Sequence, residues 1–372
     1  MKKIENITIH RNCNYGSVLQ TYATQVTFEE LGFECETVDF IRELDTKRGA
    51  LNRLKNKSKR LSGNPVLLVG AKAVMLISYL KKEKTFNAFL NSHVKLSKRS
   101  YYSNQELKNT TPNADAYCTG SDQIWNSFWN EGVEPAYYLD FVPDGAFCFS
   151  YASSIGQKIS ENEKSTISKL LRKYSFLSVR ESQSIKSLND LGYKDVVQVL
   201  DPTLYRTRDG WDELASDGFK SRKYVVTYNL HHDKRLDSFA HNLANEKGLE
   251  LLNISYNWHD IVRPGKLVWC PTVEEYLGLI RDAEYVVADS FHATAFSIQF
   301  HKKFMSFYPE KASIRIRDIL KKLDIPNRGT EGNATIQEIE NDIDYESVDE
   351  RLEIYRRQDK KYLEQICSRI KG

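Results

Sequence analysis

Four short segments of this 372-residue chain place chemistry-bearing side chains directly beside apolar runs. Asp289-Ser290-Phe291-His292 follows Val286-Val287-Ala288 and precedes the small residues Ala293-Thr294-Ala295. A histidine at a helix start is biased toward its neutral form, because the dipole disfavours added positive charge, and it can then relay a proton near neutral pH. The alternative is a structural histidine capping its neighbour. Leu177-Ser178-Val179-Arg180-Glu181 ends in a guanidinium fork that can clamp phosphate or carboxylate, or else pair with Glu181 at the surface. Thr119-Gly120-Ser121-Asp122-Gln123-Ile124-Trp125-Asn126 gathers a hydroxyl, a carboxylate, amides and an indole face. That set suits a sugar; the alternative is a turn with Trp125 packed beneath it. Asn12-Cys13-Asn14-Tyr15-Gly16-Ser17 joins the first apolar run to the first helical pattern. Its backbone N–H groups can seat an anion, or Ser17 caps the helix.

These segments need elements that bring them together, and the hydrophobic periodicity supplies them. Residues 4–9 read as a strand, 17–31 as a helix stopped by Gly32, and 33–40 as a second strand. Further strands are expected at 114–119, 146–152, 176–179 and 196–200, with helices at 160–173 and 181–191. After Asp201-Pro202 and an irregular charged stretch, a second series begins. Its strands are 223–229, 249–255, 284–288 and 303–307, alternating with helices 235–247, 272–282, 293–300 and 312–323. A charged helix at 345–370 closes the chain. Two successive β/α series predict an α/β protein with two Rossmann-like domains facing a cleft, and a last helix crossing back to the first domain. The expected boundaries are 1–201, 202–330 and a helical tail 331–372. In such sheets ligands bind beyond the C-terminal strand ends, where each of the four segments falls.

Composition narrows the function classes. Hydrophobic residues are 41% and charged residues 28%, an ordinary globular balance, and a net charge of +3 does not favour a nucleic-acid partner. The opening residues carry no signal-peptide pattern, and no uncharged stretch reaches the ~18 residues of a span. The six cysteines are scattered without C-x-x-C spacing and read as reduced thiols. The expectation is therefore a cytoplasmic protein. The eight histidines lack metal-ligand spacing, so no metal site is predicted, and neither a G-x-G-x-x-G nor a P-loop signature is present. The charge is uneven. Residues 42–99 hold fifteen Lys/Arg against three acids, +12, leaving −9 for the remainder. Within that segment, residues 66–80 form an apolar run broken only by Lys72. It suits either a helix lying in the interface of an anionic membrane or a core helix with a basic collar.

Taken together and in order, Asn14–Gln20, Gly120–Asn126, Ser150–Gly156, Ser178–Glu181, Val199–Thr203, Asp289–His292 and Ser313–Ile316 make the chain resemble the polysaccharide pyruvyl transferase family. Segment 42–99 and the tail carry none of the resemblance. It implies a fold like that of the two-domain glycosyltransferases of the B type, with the acceptor on the first domain and the donor on the second. It implies transfer of pyruvate from phosphoenolpyruvate onto a sugar diol as a cyclic ketal, releasing phosphate. The expected acceptor is a galactose-type residue of a lipid-linked polysaccharide or oligosaccharide precursor, modified at its 4 and 6 positions. No cofactor is expected beyond phosphoenolpyruvate as co-substrate. The donor set carries over to Arg180, Ser290, Phe291 and His292. Many relatives have an Arg two residues before that histidine; this chain has Ser290, and Arg315 is the candidate for the missing cation. His292 is expected as acid or phosphate partner. Asp122 is expected as base or sugar anchor beside Ser121, Gln123, Trp125 and Asn126. Asn14, Tyr15, Gly16 and Ser17 form the anion or acceptor loop. Cys13, acidified at a helix start, is an alternative proton donor. Two other functions remain open: a nucleotide-sugar glycosyltransferase of the same architecture, and a non-catalytic sugar-binding subunit of a capsule-synthesis complex. A polymer-modifying enzyme of this kind is expected to work peripherally at the inner face of the cytoplasmic membrane.

Overall fold

The computed structural model describes residues 1–49, 65–310 and 313–372, with backbone alone for 65–72. The first sheet consists of β1 (Lys3–Ile7), β2 (Glu34–Phe40), β3 (Leu96–Tyr101), β4 (Ala116–Thr119), β5 (Phe147–Ser150), β6 (Tyr174–Val179) and β7 (Val196–Gln198). Its strand order is β3-β2-β1-β4-β5-β6-β7. The second contains β8 (Tyr224–Tyr228), β9 (Glu250–Ser255), β10 (Lys266–Trp269), β11 (Tyr285–Ala288), β12 (Lys303–Phe307) and β13 (Gly329–Thr330), ordered β10-β9-β8-β11-β12-β13. Every registered pair is parallel, as strands joined by helical crossovers must be. In each sheet the order reverses once, between β1 and β4 and between β8 and β11. Such switch points open a crevice beyond the strand ends. The loops after β1, β4, β8 and β11 therefore point at one cleft.

The expected elements are present, and three strands exceed the expectation. β3, β10 and β13 all lie at or toward sheet edges, where half-exposed, charged sequences such as Leu96-Ser97-Lys98-Arg99 pair without clean alternation.

The helix Tyr15–Glu30 is buried on nearly every side, because it lies between the two domains. Tyr15 carries much of that junction. Its ring stacks on Tyr276 of the second domain at 4.2 Å, and its hydroxyl donates to the Pro271 carbonyl at 2.7 Å. The basic, apolar segment forms part of a helix spanning Pro65–His93, longer than the apolar run that marks it. Its later half is a core helix: Phe86, Phe89 and Leu90 are buried in the core that also contains Tyr15, Leu19 and Tyr276. The basic stretch 50–64 lies outside the described residues. The last helix, Tyr345–Lys371, does cross back. Val348 and Leu352 sit in the interdomain core, whereas Tyr362, Leu363 and Ile366 pack with Ile4, Phe28 and Phe149 of the first domain. Among the described residues no helix is long and apolar enough to cross a membrane.

Candidate functional site

A cavity of about 330 Å³ occupies the cleft between the two sheets. Its wall draws on the loop after β1 (Asn12, Cys13, Asn14, Ser17), the loop after β4 (Asp122, Gln123, Trp129) and the loop after β11 (Ser290, Phe291, His292). Arg315, near the start of the helix Ser313–Lys322, completes it from the second domain.

Asp122 is the carboxylate of the first-domain side. Its backbone is left-handed, φ 69°, which a short polar side chain tolerates better than most, and this turns the carboxylate into the cleft. The Ser17 hydroxyl donates to it at 2.6 Å, and the Gln123 amide donates at 2.8 Å. Arg180 and Arg315 each bring a guanidinium nitrogen to 3.7 Å. Burial alone raises the pKa of Asp122, but His292, Arg180, Arg315 and the Ser17 hydrogen bond outweigh it, and the group lies below the usual carboxylate range.

His292 is the second residue of the helix Phe291–Gln299. Its Nε2 stands 3.8 Å from Asp201 and, although buried, has no hydrogen-bond partner among the described residues. Arg180 lies behind Phe291, with its guanidinium carbon 4.6 Å from the ring centroid, and does not line the cavity. It donates one nitrogen to Asp201, while its Nε and Nη2 have no hydrogen-bond partner among the described residues and stand 3.8 Å from Glu181 and 3.7 Å from Asp122. Arg315 also stands over Phe291, at 5.8 Å, and does face the cavity. Burial, reinforced by the Arg180 charge, pushes the Arg315 guanidinium down to about 10, which leaves it cationic near neutrality.

Several expected site residues do other work. Trp125 is only 1% exposed: its ring stacks on Tyr138 at 5.4 Å and its indole N–H donates to the Tyr137 carbonyl, so no sugar can reach its face. Asn126 is likewise buried, donating to the Gln123 side chain and accepting from the Phe128 amide. The Ser121 hydroxyl donates to Asp201 rather than into the cleft. Tyr15 belongs to the domain junction described above. The helix cap is Asn14, which accepts from the Gly16 amide at 2.9 Å, and not Ser17. Tyr15 N–H donates to the Tyr256 hydroxyl, so two first-turn donors are already engaged and an anion seat there is not supported. Cys13 does line the cavity, but burial pushes its thiol up to about 12, the reverse of an acidified cysteine. Asp289 holds the neighbouring loop, accepting from the amides of Leu230 and His231.

No pattern along the chain singles out Trp129, Arg42 or Lys82, and for Asp201 there is only the motif around it. Trp129 is 43% exposed and lines the cavity, so it offers the aromatic face sought at Trp125. Arg42 is fixed by Asp45 and Asn130, and Lys82 comes from the helix Pro65–His93. Asp201 is fully buried beneath the site, accepting from Arg180, Ser121 and Thr203. It ties the ends of β4, β6 and β7 to His292, and its pKa is held far down by Arg180 and His292 against the cost of burial. Only its Val199-Leu200-Asp201-Pro202-Thr203 context hinted at this. Among the described residues no group of three or more His, Cys, Asp or Glu is placed to hold a metal ion.

Comparison with known proteins agrees with this architecture. Among solved structures, the Staphylococcus aureus MnaA–UDP co-structure is similar at TM-score 0.50 and 11% identity, covering 95% of this chain and 90% of that one. The Streptomyces nogalater glycosyltransferase SnogD is similar at TM-score 0.42 and 12% identity, over 99% and 95% of the two chains. Escherichia coli heptosyltransferase WaaC with ADP is similar at 0.42 and 10%, over 95% and 99%. At 11% identity the first of these similarities speaks to fold alone. No curated protein sequence matches. A family model does, over residues 14–311, which covers three of the chemistry-bearing segments whole and the first along the chain from Asn14 onward: the chain belongs to the polysaccharide pyruvyl transferase family.

Proposed function

We propose that the protein transfers pyruvate from phosphoenolpyruvate to two hydroxyls of a sugar, forming a cyclic ketal and releasing phosphate. The observation that carries this reading is the donor cluster at one end of the cavity. His292 Nε2 is a buried nitrogen with no hydrogen-bond partner among the described residues, and it lines the cavity beside Arg315, with Arg180 behind them. Buried polar atoms are rarely left unpaired, and an incoming polyanion with phosphate and carboxylate groups would satisfy His292 and Arg315. Arg315 clamps the donor directly, and Arg180 adds its charge from behind the Phe291 ring.

In this mechanism His292 delivers a proton to the donor methylene, which becomes a methyl group, and C2 becomes electrophilic. A sugar hydroxyl adds to C2 and gives up its proton to Asp122, which is ionised for the purpose. The C2–O bond to phosphate breaks, the phosphate leaves against the Arg315 guanidinium, and the second hydroxyl closes the ketal, its proton passing to the departing phosphate. The Ser17 hydroxyl keeps Asp122 oriented, and the exposed Trp129 face receives the sugar ring.

The test is phosphate release from phosphoenolpyruvate in the presence of galactosides and N-acetylmannosaminides, with mass spectrometry for one added pyruvyl ketal. His292→Ala should lower turnover about 10²–10⁴-fold with the fold intact. Release of UDP from UDP-sugars instead would assign the nucleotide-sugar reading, and sugar binding without turnover of any donor would assign a binding subunit.

A further inference from the structure

We propose that the protein docks on an anionic phospholipid bilayer through a surface that both domains build at the rim of the cavity. One half is the outer side of the helix Pro65–His93, where Ile77, Leu80, Lys81 and Lys84 recur at spacings of three and four residues and are all exposed. Ile77 is 55% and Leu80 50% exposed. The other half is the short turn Trp258–Val262 of the second domain, whose Trp258, Ile261 and Val262 are 49%, 54% and 86% exposed. The two halves touch: the Trp258 amide donates to the Ser78 hydroxyl at 3.2 Å. Large apolar side chains gathered this way from two separate segments mark an interaction surface more than scattered exposed residues do.

Charge selects the occupant. Lys81 and Lys84 lie among the apolar groups, and the acid between them, Glu83, accepts from the Tyr79 hydroxyl at 3.3 Å. Apolar side chains set among cations, on an otherwise acidic chain, match an anionic headgroup layer with a shallow hydrocarbon boundary. The same helix carries Tyr79 and Lys82 into the cavity wall, so docking holds the cavity mouth close to the headgroups. An acceptor carried on a lipid would then reach the site without leaving the membrane. That consequence rests on the pyruvyl-transfer reading, but the docking itself does not.

The experiment is co-sedimentation of the full chain with phosphatidylglycerol/phosphatidylcholine vesicles and with phosphatidylcholine alone, without donor or acceptor. The wild type should pellet with the anionic vesicles at low salt and be released as salt rises. Lys81→Gln with Lys84→Gln should weaken partitioning about thirtyfold. Ile77→Ser with Leu80→Ser and Val262→Ser should weaken it at least tenfold, with an unchanged thermal midpoint, since all three side chains already face solvent. A wild type that stays in the supernatant, or variants that bind as well as it does, would overturn the proposal. So would a dimer in solution that the serine variant dissolves, because the patch would then be a self-association surface. Phosphate release on a water-soluble acceptor is unaffected in every case and scores the pyruvyl-transfer reading separately.

Discussion

Gly16 and His292 are packed so closely that a Cβ on the glycine would lie 1.9 Å from the imidazole Nδ1. The first domain's helix start and the second domain's helix start thus meet at a point only a hydrogen can occupy. Gly16 is needed for this close approach and not for a turn: it lies inside the helix Tyr15–Glu30, capped by Asn14. Two segments 276 residues apart are locked against each other there, with the imidazole held between Gly16 and Asp201.

Gly16→Ala should therefore displace His292 rather than unfold the protein. The clash is with a side chain, which can move, so the expected destabilisation is that of an overpacked core, about 1–3 kcal/mol. Turnover should fall toward that of His292→Ala, while affinity for an acceptor sugar is kept. Phosphate-release kinetics and calorimetry on the two variants and the double variant check this. If the two effects multiply in the double variant, Gly16 does not act through His292.

Arg315 and Arg180 should separate donor binding from stability. Arg315 faces the cavity and, among the described residues, its ion-pair partner is Asp122 at 3.7 Å, so Arg315→Ala should fold. It should lose about 1.5–3 kcal/mol of donor affinity, the range for hydrogen bonds to charged groups. Arg180→Ala strands Asp201 and Glu181, which are buried around it, and removing one partner of such a buried set costs about 3–5 kcal/mol of stability. Calorimetry alongside titration of phosphoenolpyruvate distinguishes them. Equal melting temperatures would show that Arg180 is not structural.

Much of the fold and of the candidate site's placement was legible in the sequence because the strand-end loops carry both the pattern and the chemistry. Parallel strands buried on both faces read as apolar runs, and the residues just past each run must point at the switch point. His292, Asp122 and Arg315 were found that way or through the family resemblance. The residues that escaped are those whose role depends on packing at a distance. Trp125 and Trp129 are four residues apart and equally aromatic. The short helix Pro135–Tyr138 covers Trp125 and leaves Trp129 bare, and neither tryptophan's neighbours signal it. Arg42 and Lys82 looked like members of a basic run until the fold turned them toward the cleft. Asp201 gains its meaning only from three strand ends meeting above it.

Stability should fall as pH rises from about 4 to 7, through Asp359. This residue of the last helix accepts from the Leu200 amide at 2.8 Å beneath the Asp201 loop. Burial pushes its carboxyl up to about 7, although that amide and the Lys322 charge oppose the shift. In the unfolded chain an Asp titrates near 3.9, so between those values the folded state holds a proton that the unfolded state has lost. Fewer protons on the unfolded side mean that the Asp359 contribution is complete below about pH 4 and lost through pH 7, at up to about 1.4 kcal/mol per pH unit. Asp359→Asn keeps an oxygen for the Leu200 amide and removes the titration. Denaturant unfolding at pH 4.5 and 7.5 should show a smaller pH difference in the variant, and an identical difference would place the proton elsewhere.

Trp129 and Trp125 give the sharpest test of which aromatic meets the acceptor. Trp129 borders the cavity with its ring partly bare, held edge-on by Phe128 at 5.2 Å. A sugar ring laid on that face gains stacking contact whose loss typically costs about 0.5–1.5 kcal/mol. Trp129→Ala should therefore raise the acceptor KM several-fold, with the phosphoenolpyruvate KM and the melting temperature nearly unchanged. Trp129→Phe should restore most of the affinity, because it keeps an aromatic face. Trp125 packs wholly inside the first domain, so Trp125→Ala should cost about 3–5 kcal/mol of stability as a cavity-forming truncation. Any loss of activity there should follow the folded fraction measured by calorimetry, not the acceptor concentration. If Trp129→Ala leaves the acceptor KM unmoved while the folded Trp125 variant shows a raised one, the acceptor lies on the far side of the Gln123 loop from where this geometry puts it.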